Sequence, residues 1–216
     1  MPTEVEAKFR SDGPEPLASL SGETRLGDAL LGPPRAFDEV DRYLDTADGR
    51  LSAARWACRL RERGDGPVVS LKGPAQPGGD AWLHRRPELE GPAGPSGDPG
   101  DWPPSEARAL LDELRGGAPM VERLVLRQHR TERSVRPADQ PDAAPLGTLS
   151  LDVVTVARGS RTAGELYMVE LELAGEGDDA ATHELTRLAG ALGRRPGLHP
   201  DSRTKLEHAL ELLAAR

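Results

Sequence analysis

Charged and apolar residues alternate in the stretch EVEAKF at residues 4–9. Successive side chains of an extended strand point to opposite faces, so Glu4, Glu6 and Lys8 share one face. Carboxylates at alternate positions provide the hard oxygen ligands that Mg²⁺ and Mn²⁺ prefer, whereas lysines and arginines pair with polyanions. The spacing therefore predicts a strand with metal-binding and anion-binding groups on one face.

The same alternation returns in later stretches, with apolar residues between the polar ones. Acids dominate VELEL at 169–173, whereas bases dominate CRLR at 58–61 and SLK at 70–72. An antiparallel sheet with one solvated face accounts for any single stretch, but such a face normally carries more Thr, Ser and Gln. The polar positions are Arg59, Arg61, Ser70, Lys72, His84, Arg86, Glu88, Glu90, Glu170 and Glu172, and Asp152 lies in the middle of another strand.

We interpret these positions as the inner face of a closed barrel. A charged interior is normally prohibitive, because each buried unpaired ion costs several kcal/mol. A ligand system with both signs of charge changes that balance, since a polyanion pairs with the arginines and lysines while divalent cations pair with the carboxylates. The pattern therefore indicates a site for a polyanion and metal ions inside the barrel.

Hydrophobic periodicity and turn residues predict the elements that position these side chains. About eight strands, joined mostly in sequence order and accompanied by a few helices, indicate the α+β class and one antiparallel domain over residues 1–216. Pro87 indicates an edge or a bulge in its strand. Strands are predicted at 3–10, 37–46, 56–63, 68–73, 81–90, 119–135, 148–158 and 165–175, a short helix and a loop within 14–32, a loop at 91–104, and helices within 105–117 and at 178–192 and 201–215.

The composition predicts a soluble globular protein, with 37% hydrophobic and 30% charged residues. A net charge of −8 argues against non-specific nucleic-acid binding, which needs a basic surface. No stretch approaches the roughly 20 apolar residues of a membrane span. The single cysteine, Cys58, excludes an intramolecular disulfide and is interpreted as an apolar residue on the back of a strand. We therefore expect a cytoplasmic protein, and the Ala, Arg and Asp bias indicates a GC-rich bacterial genome.

The ordered series of motifs resembles the CYTH superfamily, the triphosphate tunnel metalloenzymes. EVEAK at residues 4–8 is similar to the Glu-x-Glu-x-Lys signature of that family, and further similarities follow over nearly the whole chain. They are YLDT at 43–46, CRLR at 58–61, SLKG at 70–73, RPELE at 86–90, the arginine-rich stretch at 127–133, LDVV at 151–154, VELEL at 169–173 and SRTK at 202–205.

The resemblance implies an eight-stranded antiparallel β-barrel with a charged interior and helices packed outside. It also implies a triphosphate-containing small molecule or polyphosphate as ligand, Mg²⁺ or Mn²⁺ as cofactor, and attack by activated water on the terminal phosphorus. The implied metal set is Glu4, Glu6, Glu88, Glu90, Asp152, Glu170 and Glu172, of which Glu4, Glu6, Glu170 and Glu172 are the predicted catalytic residues. The implied phosphate set is Lys8, Arg59, Arg61, Lys72, Arg86, Arg130 and Lys205.

The arginine-rich stretch departs from the family pattern. Family members usually carry a Lys-x-Arg pair there, whereas this chain places Gln128 before Arg130. We assign Arg130 to the phosphate set. The roles of Arg127, His129 and Arg133 stay open at this point.

Three functions are consistent with these residues. A triphosphatase acting on inorganic triphosphate, a nucleoside triphosphate or thiamine triphosphate is favoured. A class IV-type adenylate cyclase is the second, although no motif indicates a base-recognition pocket, and a non-catalytic polyphosphate-binding module is the third. The low aromatic content of 3% favours inorganic triphosphate or a broad specificity. We expect no nucleic-acid or membrane partner, and a monomer or homodimer.

Overall fold

A computed structural model describes residues 1–64, 66–76, 82–140, 142–175 and 177–215. The strands within these ranges pair into one antiparallel sheet that closes on itself. They are β1 (Thr3–Ser11), β2 (Arg25–Leu26), β3 (Ala29–Leu31), β4 (Arg35–Thr46), β5 (Ala57–Arg63), β6 (Gly66–Lys72), β7 (Leu83–Pro92), β8 (Met120–Pro137), β9 (Gly147–Arg158), β10 (Arg161–Leu173) and β11 (Leu198–Pro200).

Eight of these described strands form a closed barrel. Their order around the ring is β8-β4-β5-β6-β7-β1-β10-β9, and β9 pairs back with β8. The short β2 and β3 extend the sheet beside β8, and β11 pairs with the end of β1. Closure leaves the ring without free edges. The predicted α+β fold with an eight-stranded antiparallel barrel is confirmed.

Five α-helices accompany the barrel within the described ranges. The hydroxyl of Ser105 accepts a hydrogen bond from the backbone N–H of Arg108 and begins the third helix, as its sequence position predicts. None of the described helices is long and apolar enough to cross a membrane. The helices are α1 (Pro14–Gly22), α2 (Arg50–Ala53), α3 (Glu106–Arg115), α4 (Asp179–Gly193) and α5 (Lys205–Ala214).

Two apolar cores lie on the outer face of the barrel. Val5, Ala7 and Phe9 of β1 belong to a buried cluster with Leu188 and Leu192 of α4. A second cluster joins β5 and β6 to α3 and contains Cys58, Leu60 and Leu111 among others. Burial and the nearby Asp45 raise the pKa of the Cys58 thiol to about 12, in keeping with an apolar role. Along these strands the apolar residues at alternate positions face outward, so the charged residues between them face the lumen.

Helix α5 contributes to a third core at one end of the barrel. Its Ala209 packs with Leu126 of β8, Val154 of β9 and Met168 of β10. Each of these three residues is an even number of positions from a lumenal charged residue on its own strand, so its side chain also faces inward. The lumen is therefore apolar at the end that α5 covers and charged beyond it.

Two short elements differ from the predicted loops. Residues 25–31, predicted to lie in a helix and loop, form the β2–β3 hairpin, with Gly27 at a φ of 59° in its turn. Residues 198–200, predicted to connect two helices, form β11 against β1. Both are strands of two or three residues, too short to show a period of their own. Ala81, in the predicted strand 81–90, lies outside the described residues.

The prediction of an edge or a bulge at Pro87 is wrong. Strand β7 lies between β1 and β6. Its ladder with β1 includes Pro87, opposite Thr3, whereas its ladder with β6 begins at Glu88. The carbonyl of Pro87 accepts the N–H of Gly73 at 2.8 Å, one residue beyond the end of β6. Proline has no N–H, and at residue 87 this absence falls at the end of the β6–β7 ladder. Pro87 therefore removes no hydrogen bond from that ladder.

Gly147 pins the start of β9 against β10. A Cβ at this position would overlap the backbone carbonyl of Glu172, so a larger residue must displace the strand that carries Glu170 and Glu172. We expect Gly147→Ala to lower the free energy of unfolding by about 2 kcal/mol, measured by urea denaturation. Gly22→Ala is the matched control, because nothing lies within 4 Å of its added Cβ. Equal stabilities of the two variants would contradict this close approach.

Candidate functional site

The charged residues predicted from the sequence surround one cavity of about 690 Å³ in the barrel. All seven residues of the phosphate set line it, and so do six of the seven residues of the metal set. The seventh, Asp152, is completely buried and contacts two lining residues, Arg130 and Lys205. The structure thus brings the whole predicted set together.

The first part of the lumen joins β1, β7 and β6 by ion pairs. Glu6 lies 2.8 Å from the Nζ of Lys8 and 3.1 Å from the guanidinium of Arg86. Arg86 also lies 2.8 Å from Glu4, whose second oxygen is 2.6 Å from the Nζ of Lys72. Each carboxylate of this part is therefore held between two cations.

The second part continues around β7, β5 and β4. Arg59 lies 3.7 Å from Glu88 and 3.8 Å from Asp41. Arg61 donates two hydrogen bonds of 2.7 Å to the carboxylate of Asp41 and lies 3.0 Å from Glu39. A bidentate guanidinium–carboxylate pair fixes both side chains in one geometry.

The third part joins β8, β9, β10 and α5. Arg130 holds Asp152 with two hydrogen bonds of 2.7 and 2.8 Å and lies 3.2 Å from Glu170. The Nζ of Lys205 lies 2.5 Å from Asp152 and 2.7 Å from Glu170. Arg130 is also 3.5 Å from Glu39, which connects this part to the second. Lys205 thus reaches into the lumen from the first turn of α5.

The neighbouring cations determine the ionisation of Glu4 and Glu170. Burial opposes ionisation of Glu4, but Lys72 and Arg86 outweigh it and hold its pKa well below the usual range. Burial likewise opposes ionisation of Glu170, and Lys205 and Arg130 again hold its pKa low. These carboxylates are therefore charged at neutral pH and neutralised within the protein.

Glu88 and Glu172 behave differently, because burial raises the pKa of both carboxyl groups. The side chain of Glu172 opens to the solvent of the cavity, but the surrounding barrel and the carboxylates of Glu4 and Glu6 raise its pKa to about 7. Lys72 only partly offsets this effect. Glu172 therefore lies where the lumen has an excess of negative charge.

The oxygen donors around Glu172 suit a divalent cation in their chemistry. The buried Oε1 of Glu88 accepts no hydrogen bond and has ion pairs with Lys72 and Arg59 as its contacts. Among the described residues, no three acidic or histidine side chains are already close enough together to hold a metal ion. The carboxylates of Glu4 and Glu6 instead pair with lysine and arginine, so a metal ion at these oxygens would have to replace those partners.

The two outer members of the acidic set lie at different depths. Glu90 is at the rim of the cavity, where its side chain is 56% exposed and accepts a hydrogen bond of 2.6 Å from Ser70. Glu88, two residues away on β7, is largely buried and lies 3.2 Å from Lys72. Glu90 is therefore the less constrained of the two.

Sequence analysis missed the acids of β4. Glu39 and Asp41 are buried in the lumen, where the amide of Gln128 donates to both at 3.3 and 2.6 Å. Glu39, Asp41 and Tyr43 alternate just as Glu4 and Glu6 do, so the signal was present in the sequence. The Asp45 of the YLDT motif instead accepts the N–H groups of residues 46, 51 and 52 and builds the turn before α2.

The structure settles which side chains of residues 127–133 face the lumen. Arg130 and Gln128 point inward, whereas Arg127 and His129 are exposed outside. His129 lies 2.8 Å from Asp38 on the outer surface. Arg133 is buried beside α1, where it donates to backbone carbonyls, among them that of Gly32 at 2.8 Å. The three residues left open therefore lie away from the cavity.

The raised pKa of Glu172 predicts a pH dependence of stability. A carboxyl group with a higher pKa in the folded protein stabilises the fold fully below its unfolded pKa, near 4.5, and loses that contribution as the pH rises through about 7. We expect the melting temperature of metal-free Glu172→Gln, relative to the parent protein, to increase between about pH 5 and about pH 8. Calorimetry with a chelator present measures this difference.

Glu165→Gln is the control for that experiment, because Glu165 lies on the same strand and is exposed outside the barrel. Its melting temperature relative to the parent protein should not change across the same pH range. A pH-independent difference for Glu172→Gln would contradict the assigned environment of Glu172.

Solved structures with a similar fold come from distant organisms. HpAC1 from Hippeastrum, a proposed adenylyl cyclase with a dominant triphosphatase activity, is 19% identical with a TM-score of 0.66, and the match covers 96% of this chain and 95% of that chain. A proposed adenylate cyclase from Bacillus halodurans is 19% identical with a TM-score of 0.54, covering 96% and 98%. PH1819 from Pyrococcus horikoshii is 16% identical with a TM-score of 0.52, covering 95% and 98%.

No curated protein matched the sequence. A family model, described as the CYTH domain, matches residues 2–199. This match includes every strand of the barrel and every predicted site residue except Lys205. The chain therefore belongs to the CYTH-domain family.

Proposed function

We propose that this protein is a divalent-metal-dependent triphosphatase that hydrolyses the terminal phosphate of inorganic triphosphate or of an organic or nucleoside triphosphate. The observation that carries the proposal is the alternation of cations and carboxylates around one cavity. The triphosphatase activity described for HpAC1, a distant relative with the same fold, supports it.

The cations are arranged to surround an elongated polyanion. They project from β1, β5, β6, β7, β8 and α5, so phosphate oxygens in the cavity meet positive charge on several sides. Guanidinium groups suit this task because they bind phosphate through two parallel hydrogen bonds. A ligand with several negative charges in line gains more from such a cavity than a single phosphate does.

Phosphoryl transfer depends mainly on alignment and charge neutralisation. We assign Lys8, Lys72 and Arg86 to the phosphate oxygens, because each already holds a carboxylate in the lumen. Glu4, Glu6, Glu170 and Glu172 would hold Mg²⁺ or Mn²⁺, which neutralises phosphate charge and lowers the pKa of bound water. Glu172, which opens to the cavity, would also orient the attacking water.

The composition supports the other parts of the proposal. A net charge of −8 disfavours nucleic acid as partner, and a reducing cytoplasm suits a protein whose one cysteine is a buried thiol. The residue bias suits a bacterial protein, and the cavity described above is formed within one chain. A monomer or a homodimer is consistent with this arrangement.

A substrate panel separates the proposed activity from its rivals. Purified protein is incubated with tripolyphosphate, ATP or thiamine triphosphate, with Mg²⁺, Mn²⁺ or a chelator. We expect release of inorganic phosphate that stops with the chelator. Cyclic AMP with pyrophosphate would instead identify a cyclase, and binding of tripolyphosphate without turnover would identify a binding module.

Two lumenal carboxylates test the site itself. We expect Glu6→Gln and Glu170→Gln to lower kcat for tripolyphosphate on the order of 100-fold, because each change removes a charged oxygen ligand but keeps the side-chain shape. Glu165→Gln, on the outer face of β10, should keep parental activity. Circular dichroism checks the fold of each variant. Full activity of both lumenal variants would end the assignment of the lumen as the active site.

A further inference from the structure

Asp201 lies between β11 and α5 and contacts both barrel and helix. Its backbone N–H donates to the carbonyl of Lys8 at 3.0 Å. Its own carbonyl lies 2.9 Å from the Nε2 of His84, a lumen-lining residue of β7. A carbonyl oxygen only accepts, so this nitrogen of His84 carries the proton. The backbone of Asp201 is thus hydrogen-bonded to β1 and β7, two strands that carry residues of the predicted phosphate set.

The carboxylate of Asp201 is directed to the helix. One oxygen accepts the backbone N–H of Arg203 at 3.0 Å, and the other contacts the Nε2 of His208. Asp201 and His208 are 7% and 3% exposed, so their contact is shielded from solvent. A buried hydrogen bond to a charged group is strong, and loss of one partner leaves the other unsatisfied.

His208 shares a helix face with Lys205. Residues three apart in a helix are neighbours on one side, and both side chains are buried. Lys205 extends from this face to Asp152 and Glu170, whereas His208 extends to Asp201. The Asp201–His208 contact therefore holds the same turn of α5 that delivers the buried ammonium group.

We propose that Asp201 and His208 form a latch that positions Lys205 for contact with the substrate phosphates. This inference rests on the proposed function of the lumen. Neither latch residue is assigned to the phosphate or metal set, so both are positioning residues. A helix of ten residues is marginal by itself, and a long lysine side chain has many conformations to lose. Fixing the first turn of α5 at the barrel wall removes much of that freedom before the substrate binds.

A double-mutant cycle with His208→Ala and Lys205→Met tests the latch. We expect each single change to raise the KM for tripolyphosphate about tenfold, and the double variant to be no worse than Lys205→Met within about twofold. His208→Gln, whose amide can donate to Asp201, should recover most of the loss. Leu212→Ala is the matched control, because it loosens the same helix where it packs on Gly164, away from Asp201. Its melting temperature should fall while its KM stays within about twofold of the parent value.

Amide hydrogen exchange over residues 202–206 gives a readout that does not need activity. Faster exchange there in His208→Ala, but not in Leu212→Ala, is expected from the latch. Additive effects in the cycle, failure of His208→Gln to recover, or unchanged exchange would each overturn the inference. If the parent protein neither binds nor hydrolyses tripolyphosphate, the proposed function fails, and the exchange experiment still decides whether the latch exists.

Discussion

The pairing of acids with bases around the barrel lumen is the interaction on which this structure depends. Fully ionised groups in a protein interior cost several kcal/mol each unless charge and hydrogen bonds compensate them. Here every cation of the predicted phosphate set pairs with at least one carboxylate, as Arg86 of β7 does with Glu4 and Glu6 of β1. The same groups that would bind a ligand therefore stabilise the barrel by pairing with one another, and a ligand would have to exchange partners with them.

A charged lumen moves the hydrophobic core to the outside of the barrel. The outward apolar side chains of β1 pack against α4, and the outward apolar side chains of β5 and β6 pack against α3. Burial of these outer faces supplies the apolar stabilisation that an ordinary small barrel gains from its interior. Helix α5 differs because it packs on inward-facing residues such as Leu126 and Val154. That position allows one helical lysine to join a site otherwise built from strands.

The sequence predicted those parts of the site that depend on local parity. Alternation assigns Glu4 and Glu6 to one face of β1 without any knowledge of the fold, and the barrel confirms that this face is the lumen. Glu39 and Asp41 carry the same signal on β4 and were overlooked. The contact between Asp201 and His208 depends on how α5 packs against the barrel. Periodicity in the sequence predicts the helix but not this packing. The prediction of an edge or a bulge at Pro87 was wrong because the effect of a proline on hydrogen bonding depends on where the neighbouring strand ends.

The lumen also links the two proposed ligands thermodynamically. A polyphosphate alone would draw Lys72 and Arg86 toward itself and leave Glu4 and Glu6 beside Glu172, whose pKa is already raised by burial and by these two carboxylates. A divalent cation alone would displace those same cations from the carboxylates and leave them unpaired. When both ligands bind, each set of protein charges regains an opposite partner. Each of the two proposed ligands would therefore raise the affinity for the other by the same factor, because coupling between two bound ligands is reciprocal.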